Sequence, residues 1–219
     1  AVVLPFDASV AQLSAYDFMK EVLRNRLNVK KLVIGYDNRF GHNRTETFED
    51  YVRYGHELGI EVIHHTAFEL HGVNISSSVI RGFLQEGEVE MATLCLGYPY
   101  TLIGKVVHGF AQGRLMGFPT ANMDVAESGQ LIPATGVYAV NVKLKNQLHL
   151  LHGMMNIGRR PTFNGTALSL EVNIFNFQGD LYGDLIEVSF IRHIRKERKF
   201  NSAAELAEQL QQDRTMIEE

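Results

Sequence analysis

The stretch of sequence that decides the fold of the second half reads Leu168-Ser169-Leu170-Glu171-Val172-Asn173-Ile174. Apolar and polar residues alternate along it, so we predict a β-strand over 168–177 with apolar side chains on one face and polar side chains on the other. Similar strand-like segments occur elsewhere in this half, at 103–107, 136–144, 148–157 and 185–191. Because glycine or proline separates most of these segments and no helical pattern comes between them, we predict an antiparallel β-barrel or sandwich.

Turn and helix signals complete this half. We predict a hairpin-type turn at Gln178-Gly179-Asp180, because glycine and aspartate are typical turn residues. A final helix is predicted to begin at Ser202, where Glu205 has the spacing of a capping box. Its apolar residues Leu206 and Leu210 are predicted to be buried.

The first half of the chain alternates helical and extended segments. An apolar stripe at helical spacing follows Ser14, and a second amphipathic segment ends at Gly59. Strands are predicted at 31–35 and 60–63. Because strands that alternate with helices usually pair in parallel through right-handed crossovers, we predict an α/β sheet.

The change between these two patterns divides the chain. A helix beginning at the serines of 76–78 and a connecting helix over about 88–94 precede the helix-breaking residues Gly97-Tyr98-Pro99. We therefore predict an α/β domain over residues 1–95 and an all-β domain over residues 96–219.

Composition and charge restrict the class of protein. The 219 residues are 45% hydrophobic and 21% charged, which is typical of a globular chain and excludes a disordered or fibrous one. The 21 basic residues are outnumbered by 25 acidic ones, so no nucleic acid partner is expected, and the basic run at 192–199 is interpreted as a solvated surface. Cys95 is the only cysteine, which excludes an intrachain disulfide and favours the reducing cytoplasm. No apolar run approaches the roughly 18 residues of a membrane span, so no membrane partner is expected.

A glycine-rich stretch has the composition of a phosphate-binding backbone. Residues 104–122 contain Gly104, Gly109, Gly113 and Gly117 beside the basic Arg114. Glycine lets backbone N–H groups approach an anion closely. The stretch matches neither of the standard nucleotide-binding fingerprints. From the glycines alone, turns between strands are the favoured interpretation.

Three oxygen-bearing side chains are candidates for a reaction centre. Thr120 and Asn122 are two residues apart, so in an extended backbone both face one point, where they suit a Mg²⁺ ion completed by phosphates and waters. By spacing alone, a turn after Pro119 is the favoured interpretation. Glu171 is either a solvated strand glutamate, which is the commoner case, or a carboxylate that accepts a proton from a hydroxyl nucleophile.

An ordered series of motifs runs over about residues 97–213. In chain order it comprises Gly113-Arg114, Gly117-Phe118-Pro119-Thr120-Ala121-Asn122, Gly136-Val137-Tyr138, Gly158 with Arg160-Pro161-Thr162-Phe163, Glu171, Asp180-Leu181-Tyr182-Gly183, Ile194-Arg195, Phe200 and the helix at 202–213. Together these motifs closely resemble the riboflavin kinase module of the bacterial bifunctional riboflavin kinase/FAD synthetase family. The resemblance implies a small antiparallel β-barrel with a C-terminal helix, which agrees with the strand pattern.

The resemblance also implies an activity and the residues that perform it. The activity is ATP-dependent phosphorylation of the terminal ribityl hydroxyl of riboflavin, which gives FMN. The implied ATP-binding residues are Gly109, Gly113, Arg114, Gly117, Pro119 and Thr120, and the implied Mg²⁺ ligands are Thr120 and Asn122. Glu171 is the implied catalytic base, and Arg195 and Phe200 are implied to close over the flavin. The expected partners are therefore the small molecules riboflavin, ATP and FMN.

The first half resembles the adenylyltransferase domain of the same family, which has a Rossmann-like fold. Gly35-Tyr36-Asp37-Asn38-Arg39-Phe40-Gly41 is similar to the family's Gly-x-Asp-Phe-x-Phe-Gly, although Asn38 replaces the usual aromatic residue. Ile75 to Arg81 resembles the phosphate-binding motif of that domain, although serines before a helix are by themselves more often caps. The implied nucleotide-binding residues are Asp37, Ser76, Ser77, Ser78 and Arg81.

One motif of the adenylyltransferase domain is not found. No His-x-Gly-His occurs in the sequence, and the family's histidines there stabilise the transferring phosphoryl group. The chain thus resembles the family without its N-terminal segment, and we expect a partial adenylyltransferase domain that forms essentially no FAD.

Two other functions stay open. One is FMN adenylyltransferase activity, for which only half of the site is recognised. The other is a non-catalytic barrel that binds flavin or RNA without turnover. Consumption of ATP that depends on both riboflavin and Mg²⁺ separates the kinase from the binding module.

Overall fold

The computed structural model describes residues 1–35, 38–66, 69–70, 72–109, 117–145, 147, 149–162 and 165–219. The chain forms two compact units, Ala1–Asn74 and Ile75–Glu219. The division precedes two helices, because Leu84, Val89 and Ala92 of those helices belong to the core of the second unit. The compact units thus differ in their limits from the predicted domains, whose assignment stays a prediction.

The first unit contains a two-stranded parallel sheet with helices packed against it. Its elements are α1 (Ala8–Ala11), α2 (Ala15–Asp17) with a π-helical continuation (Phe18–Arg26), β1 (Lys31–Gly35), α3 (Phe48–Leu58), β2 (Glu61–His65) and the antiparallel pair β3 (Glu69–Leu70) and β4 (Val73–Asn74). β1 and β2 pair in parallel, from Lys31 opposite Glu61 to Gly35 opposite His65. The predicted α/β arrangement is confirmed. Its core is formed by Ala15, Met19, Ile34, Tyr51 and Ile60.

Local sequence signals explain where these helices begin and end. The Ser14 hydroxyl accepts a hydrogen bond from the Asp17 backbone N–H at 3.1 Å, as its capping position predicts. The Asp50 carboxylate accepts one from the Thr47 N–H at 3.0 Å at the start of α3. α3 ends where Gly59 takes a φ of +66°, a left-handed conformation that costs glycine little.

The second unit is a closed antiparallel barrel with two helices before it and one after it. Its helices are α4 (Ser77–Glu86), α5 (Val89–Leu96) and α6 (Ala203–Glu218), with a 3₁₀ turn at Ala126–Ser128. Its strands are β5 (Thr101–Val107), β6 (Ala121–Asp124), β7 (Gly136–Leu144), β8 (Leu151–Thr162), β9 (Gly165–Ile174) and β10 (Leu185–Arg195). Around the barrel the strands follow the order β10-β5-β6-β9-β8-β7. The predicted barrel with a C-terminal helix is confirmed.

The alternation that predicted β9 also explains how the barrel is filled. Leu170, Val172 and Ile174 are buried in the interior, and burying each such side chain contributes about 1.5–3 kcal/mol. Leu168 belongs to the same face of the strand pattern but is 43% exposed. The opposite face carries Glu171 and Asn173, and this face positions the candidate site.

The structure corrects two expectations about this unit and adds one strand. Gln178-Gly179-Asp180 is not a hairpin turn, because β9 pairs with β6 and β8, whereas β10 pairs with β5 and β7. Residues 121–124 form strand β6, which the sequence pattern did not predict. On α6, Leu206 and Leu210 are only half-buried, and the buried residue of that helix is Asp213.

Tyr138 connects the barrel to the segment that precedes β7. Its side chain is fully buried, and its hydroxyl donates a hydrogen bond to the Ala134 carbonyl at 2.6 Å. Burial, and to a lesser extent the nearby Glu90 carboxylate, raises the pKa of Tyr138 to about 12. Tyr138 is therefore neutral throughout the physiological pH range.

Candidate active site

Strand pairing brings the polar face of β9 against two asparagines. Glu171 lies opposite Asn122 of β6 on one side and opposite Asn156 of β8 on the other. Residues that pair directly across strands project to the same face, with Cβ atoms roughly 4.5–5.5 Å apart. The register therefore forms a polar row of Asn122, Glu171 and Asn156 across three strands.

Thr120 joins this row from the residue before β6. Its hydroxyl donates a hydrogen bond to Oε2 of Glu171 at 3.4 Å. The fold thus brings Glu171 next to Thr120 and Asn122, although it lies about 50 positions later in the sequence. The spacing of Thr120 and Asn122 favoured a turn after Pro119, but residues Ala121–Asp124 form an extended strand, so that interpretation is wrong.

A cavity of about 620 Å³ lies beside this group, a size typical of small-molecule sites. Four of the residues assigned to ATP or Mg²⁺ line it: Gly109, Pro119, Thr120 and Asn122. Its other lining includes barrel residues such as Val172 and the loop at 177–182. Apolar and polar groups therefore both face this first cavity.

Gly109 is required by a close approach of Asn122. A Cβ atom at Gly109 would lie 2.7 Å from Oδ1 of Asn122, and nearer still to its Nδ2 and Cγ atoms. The absence of a side chain therefore lets the Asn122 amide pack directly on this backbone. Gly117 has a different requirement, since its φ of +81° is a left-handed conformation.

Thr120 also lines a second cavity, of about 240 Å³. Glu171, Asn156 and Asn173 line it, together with Arg195 and Phe200, the two residues assigned to the flavin. Thr120 lines both cavities. The residue common to both cavities is therefore the threonine whose hydroxyl donates to Glu171.

Arg195 is held by a buried carboxylate. Asp213 of α6 is fully buried and accepts hydrogen bonds from Arg195 Nε at 3.0 Å and Nη2 at 2.8 Å, while Gln209 Nε2 donates to it at 2.8 Å. The guanidinium of Arg195 also lies 5.6 Å from the ring centre of Phe200. Arg195 thus fixes α6 to the rim of the second cavity, and its assigned contact with phosphate stays a prediction.

Four of the five predicted site residues of the adenylyltransferase half lie at the start of α4, and their role stays a prediction. Ser76 is the N-cap of α4 and accepts a hydrogen bond from the Val79 N–H at 3.3 Å. Ser77, Ser78 and Arg81 are exposed on the first turns of that helix. Asp37 lies outside the described residues, as do Gly113 and Arg114 of the glycine-rich stretch.

Three residues of the site were not identified from sequence. Asn156 and Asn173 line the second cavity, and Asp213 orients Arg195. Asn173 was visible as a member of the same polar strand face as Glu171. The positions of Asn156 and Asp213 depend on strand register and helix packing, which a single sequence does not show.

The described residues around this site offer few possible ligands for a metal ion. Within the described ranges, no group of three or more His, Cys, Asp or Glu side chains could hold a metal ion. Thr120, Asn122 and Glu171 instead present hydroxyl, amide and carboxylate oxygens, the donors that Mg²⁺ prefers.

Comparisons with known proteins match both halves of the chain. The riboflavin kinase family matches residues 96–219, and the FAD synthetase family matches residues 1–79. The bifunctional riboflavin kinase/FMN adenylyltransferase of Haemophilus influenzae is 39% identical over 212 residues, which cover 97% of this chain and 68% of that protein. Those of Escherichia coli K12 and Bacillus subtilis are 39% and 37% identical and cover 95% and 97% of this chain, and 66% of each relative. The chain thus spans about two thirds of the length of these relatives.

A solved structure shows the same fold. The protein from Streptococcus pneumoniae that is described as a macrolide-efflux protein matches with a TM-score of 0.88 and 36% identity, over 98% of this chain and 68% of that one. In the part of the present chain that the structure describes, no helix is long and apolar enough to span a membrane.

Proposed function

This chain belongs to the bifunctional riboflavin kinase/FMN adenylyltransferase family, and we propose that its second unit transfers the γ-phosphoryl group of ATP to riboflavin. The observation that carries the proposal is that two cavities share Thr120 as a lining residue and that its hydroxyl donates a hydrogen bond to Glu171. A phosphoryl transfer needs a donor and an acceptor aligned on either side of one point. The larger cavity is assigned to ATP and the smaller one to the ribityl end of riboflavin.

Glu171 is proposed as the catalytic base of this transfer. The oxygen of the terminal ribityl hydroxyl forms a bond to the γ-phosphorus, while the bond from that phosphorus to the β–γ bridging oxygen breaks. The hydroxyl proton passes to the Glu171 carboxylate, and the products are FMN and ADP. Support comes from the rigid strand that carries Glu171 and from its place among the residues that line the second cavity.

Thr120 and Asn122 are proposed to hold Mg²⁺ together with the phosphates of ATP. Both residues line the larger cavity, and each carries a neutral side-chain oxygen of the kind suited to this ion. When bound, Mg²⁺ neutralises charge on the phosphates. The protein's own part is to orient the nucleotide through the backbone at Gly109.

Phe200 and Arg195 are proposed to contact the flavin at the rim of the smaller cavity. An aromatic ring supplies a flat apolar surface for the flavin ring system. The ion pair with Asp213 fixes the orientation of the Arg195 guanidinium at this rim. This pairing also supports a role for α6 in forming the cavity.

The experiment that tests the proposal incubates the chain with riboflavin and MgATP and separates riboflavin, FMN and FAD by chromatography. FMN that forms in equal amount to ADP, and only when all three components are present, is the expected result. Binding of riboflavin without formation of either product would instead identify a non-catalytic flavin-binding barrel. Reactions without riboflavin control for simple hydrolysis of ATP.

A further inference from the structure

Asn173 is a buried polar residue to which the phosphoryl transfer proposed above assigns no role. Its side chain is 5% exposed, and among the described residues the other buried polar or charged residue is Asp213. It lies on β9 two residues after Glu171, so both side chains project from the same face of the strand. Its Nδ2 donates a hydrogen bond to the Pro119 carbonyl at 2.7 Å.

This hydrogen bond holds the peptide that leads into Thr120. Proline has a fixed φ near −65°, so the orientation of the next peptide depends mainly on rotation at the Pro119 Cα–C bond. Anchoring the Pro119 carbonyl to Asn173 fixes that rotation. The direction in which the Thr120 side chain leaves the backbone is therefore set by a contact from β9.

Thr120 thus has two attachments to one strand. Its hydroxyl contacts Oε2 of Glu171 at 3.4 Å, and the carbonyl that precedes it is bound to Asn173. Because β9 is paired on both sides in the barrel, these attachments share a rigid base. The threonine common to both cavities is therefore placed relative to Glu171.

We propose that Asn173 is a positioning residue for the phosphoryl transfer, which acts by fixing the Pro119–Thr120 peptide between the two cavities. This inference rests on the proposed function. It predicts that loss of the Asn173 donor disturbs the nucleotide and Mg²⁺ side of the site more than the riboflavin side. Because Pro119 is an exposed residue, we expect water to replace the lost donor at its carbonyl, so that the cost in stability is small compared with the cost in alignment.

The test compares two variants. Asn173→Leu has a side chain of similar volume to asparagine but no hydrogen-bond donor. Asn173→His has a ring Nδ1–H that lies the same number of bonds from the backbone as the Nδ2–H of asparagine. Asn141→Leu is the matched control, because Asn141 is a barrel asparagine whose side chain bonds to His152 and lines neither cavity. For each variant, FMN formation, its dependence on Mg²⁺, calorimetric affinities for MgADP and riboflavin, and Tm are measured.

Asn173→Leu is expected to lower FMN formation by roughly 10–100-fold, since misplacement by about 1 Å is enough for a loss of that size. The Mg²⁺ concentration that gives half-maximal rate should rise, and the affinity for MgADP should fall. The riboflavin affinity and the Tm of Asn173→Leu should stay close to those of Asn141→Leu. Asn173→His should recover much of the rate.

Three outcomes separate the possibilities. Unchanged rate and Mg²⁺ dependence in Asn173→Leu would overturn the inference. Weaker riboflavin binding with unchanged MgADP affinity would overturn it also, because Asn173 would then contact the acceptor itself. Failure of the parent chain to form FMN would overturn the proposed function instead, and this result is visible before any variant is made.

Discussion

Replacing Gly109 by alanine tests the site through a single added methyl group. The new Cβ would lie 2.7 Å from Oδ1 of Asn122, whereas an ordinary contact begins at 3.4 Å, so that oxygen must retreat by about 0.7 Å. The amide nitrogen lies nearer and must move further. Because a displacement of about 1 Å costs up to roughly 100-fold in rate, we expect FMN formation to fall by about 10–100-fold. The moving group is the end of a side chain, so the barrel should remain folded.

Gly82→Ala is the matched control for this prediction. Gly82 lies on α4 with open space at the position of an added Cβ, so alanine should leave FMN formation unchanged and stabilise the helix by about 0.5–1 kcal/mol. FMN formation is followed by chromatography, MgADP affinity by calorimetry and folding by thermal unfolding. A folded Gly109→Ala variant with the parent's rate and MgADP affinity would refute the assignment of Asn122 to the nucleotide side.

Further predictions address the metal ligands, the buried tyrosine and the products. Thr120→Val and Asn122→Leu should each weaken MgADP binding in calorimetry while riboflavin affinity without nucleotide changes little, and equal MgADP affinities would contradict the ligand assignment. Burial raises the pKa of Tyr138 to about 12, so its stabilising contribution is complete below pH 10 and is lost as the pH rises to about 12. Denaturant unfolding should therefore show a smaller decline over this pH interval in Tyr138→Phe than in the parent, and equal declines would contradict this. The 219-residue chain should yield FMN and essentially no FAD on long incubation with FMN and MgATP, because its sequence contains no His-x-Gly-His; FAD in proportion to the protein would contradict this.

Local sequence signals were sufficient for several elements of the fold. Ser14, Gly59 and Ser202 marked helix ends, because a cap depends on residues within one turn of the helix. The alternation at 168–174 predicted both a strand and its polar face. These features are properties of a few neighbouring residues, so one sequence contains them.

The remaining features depend on contacts between distant segments. Strand β6 has only four residues and is stabilised by pairing with β5 and β9, which its own sequence does not show. The loop at 178–180 was mistaken for a hairpin because turn residues indicate a change of direction and do not show which strands are neighbours. Asn173 contacts Pro119 across 54 positions of the chain, so its importance to the site was not predictable from spacing.

The most direct test of the proposed kinase follows the γ-phosphoryl group itself. ATP radiolabelled in that group is incubated with Mg²⁺, riboflavin and either the parent chain or Glu171→Gln, and the flavins are separated. We predict label in FMN in equal amount to ADP for the parent, and a rate roughly 10²–10⁴-fold lower for Glu171→Gln with riboflavin binding retained. Riboflavin binding by the parent without label in FMN would contradict the proposed kinase activity, and a parental rate in Glu171→Gln would contradict the role of Glu171.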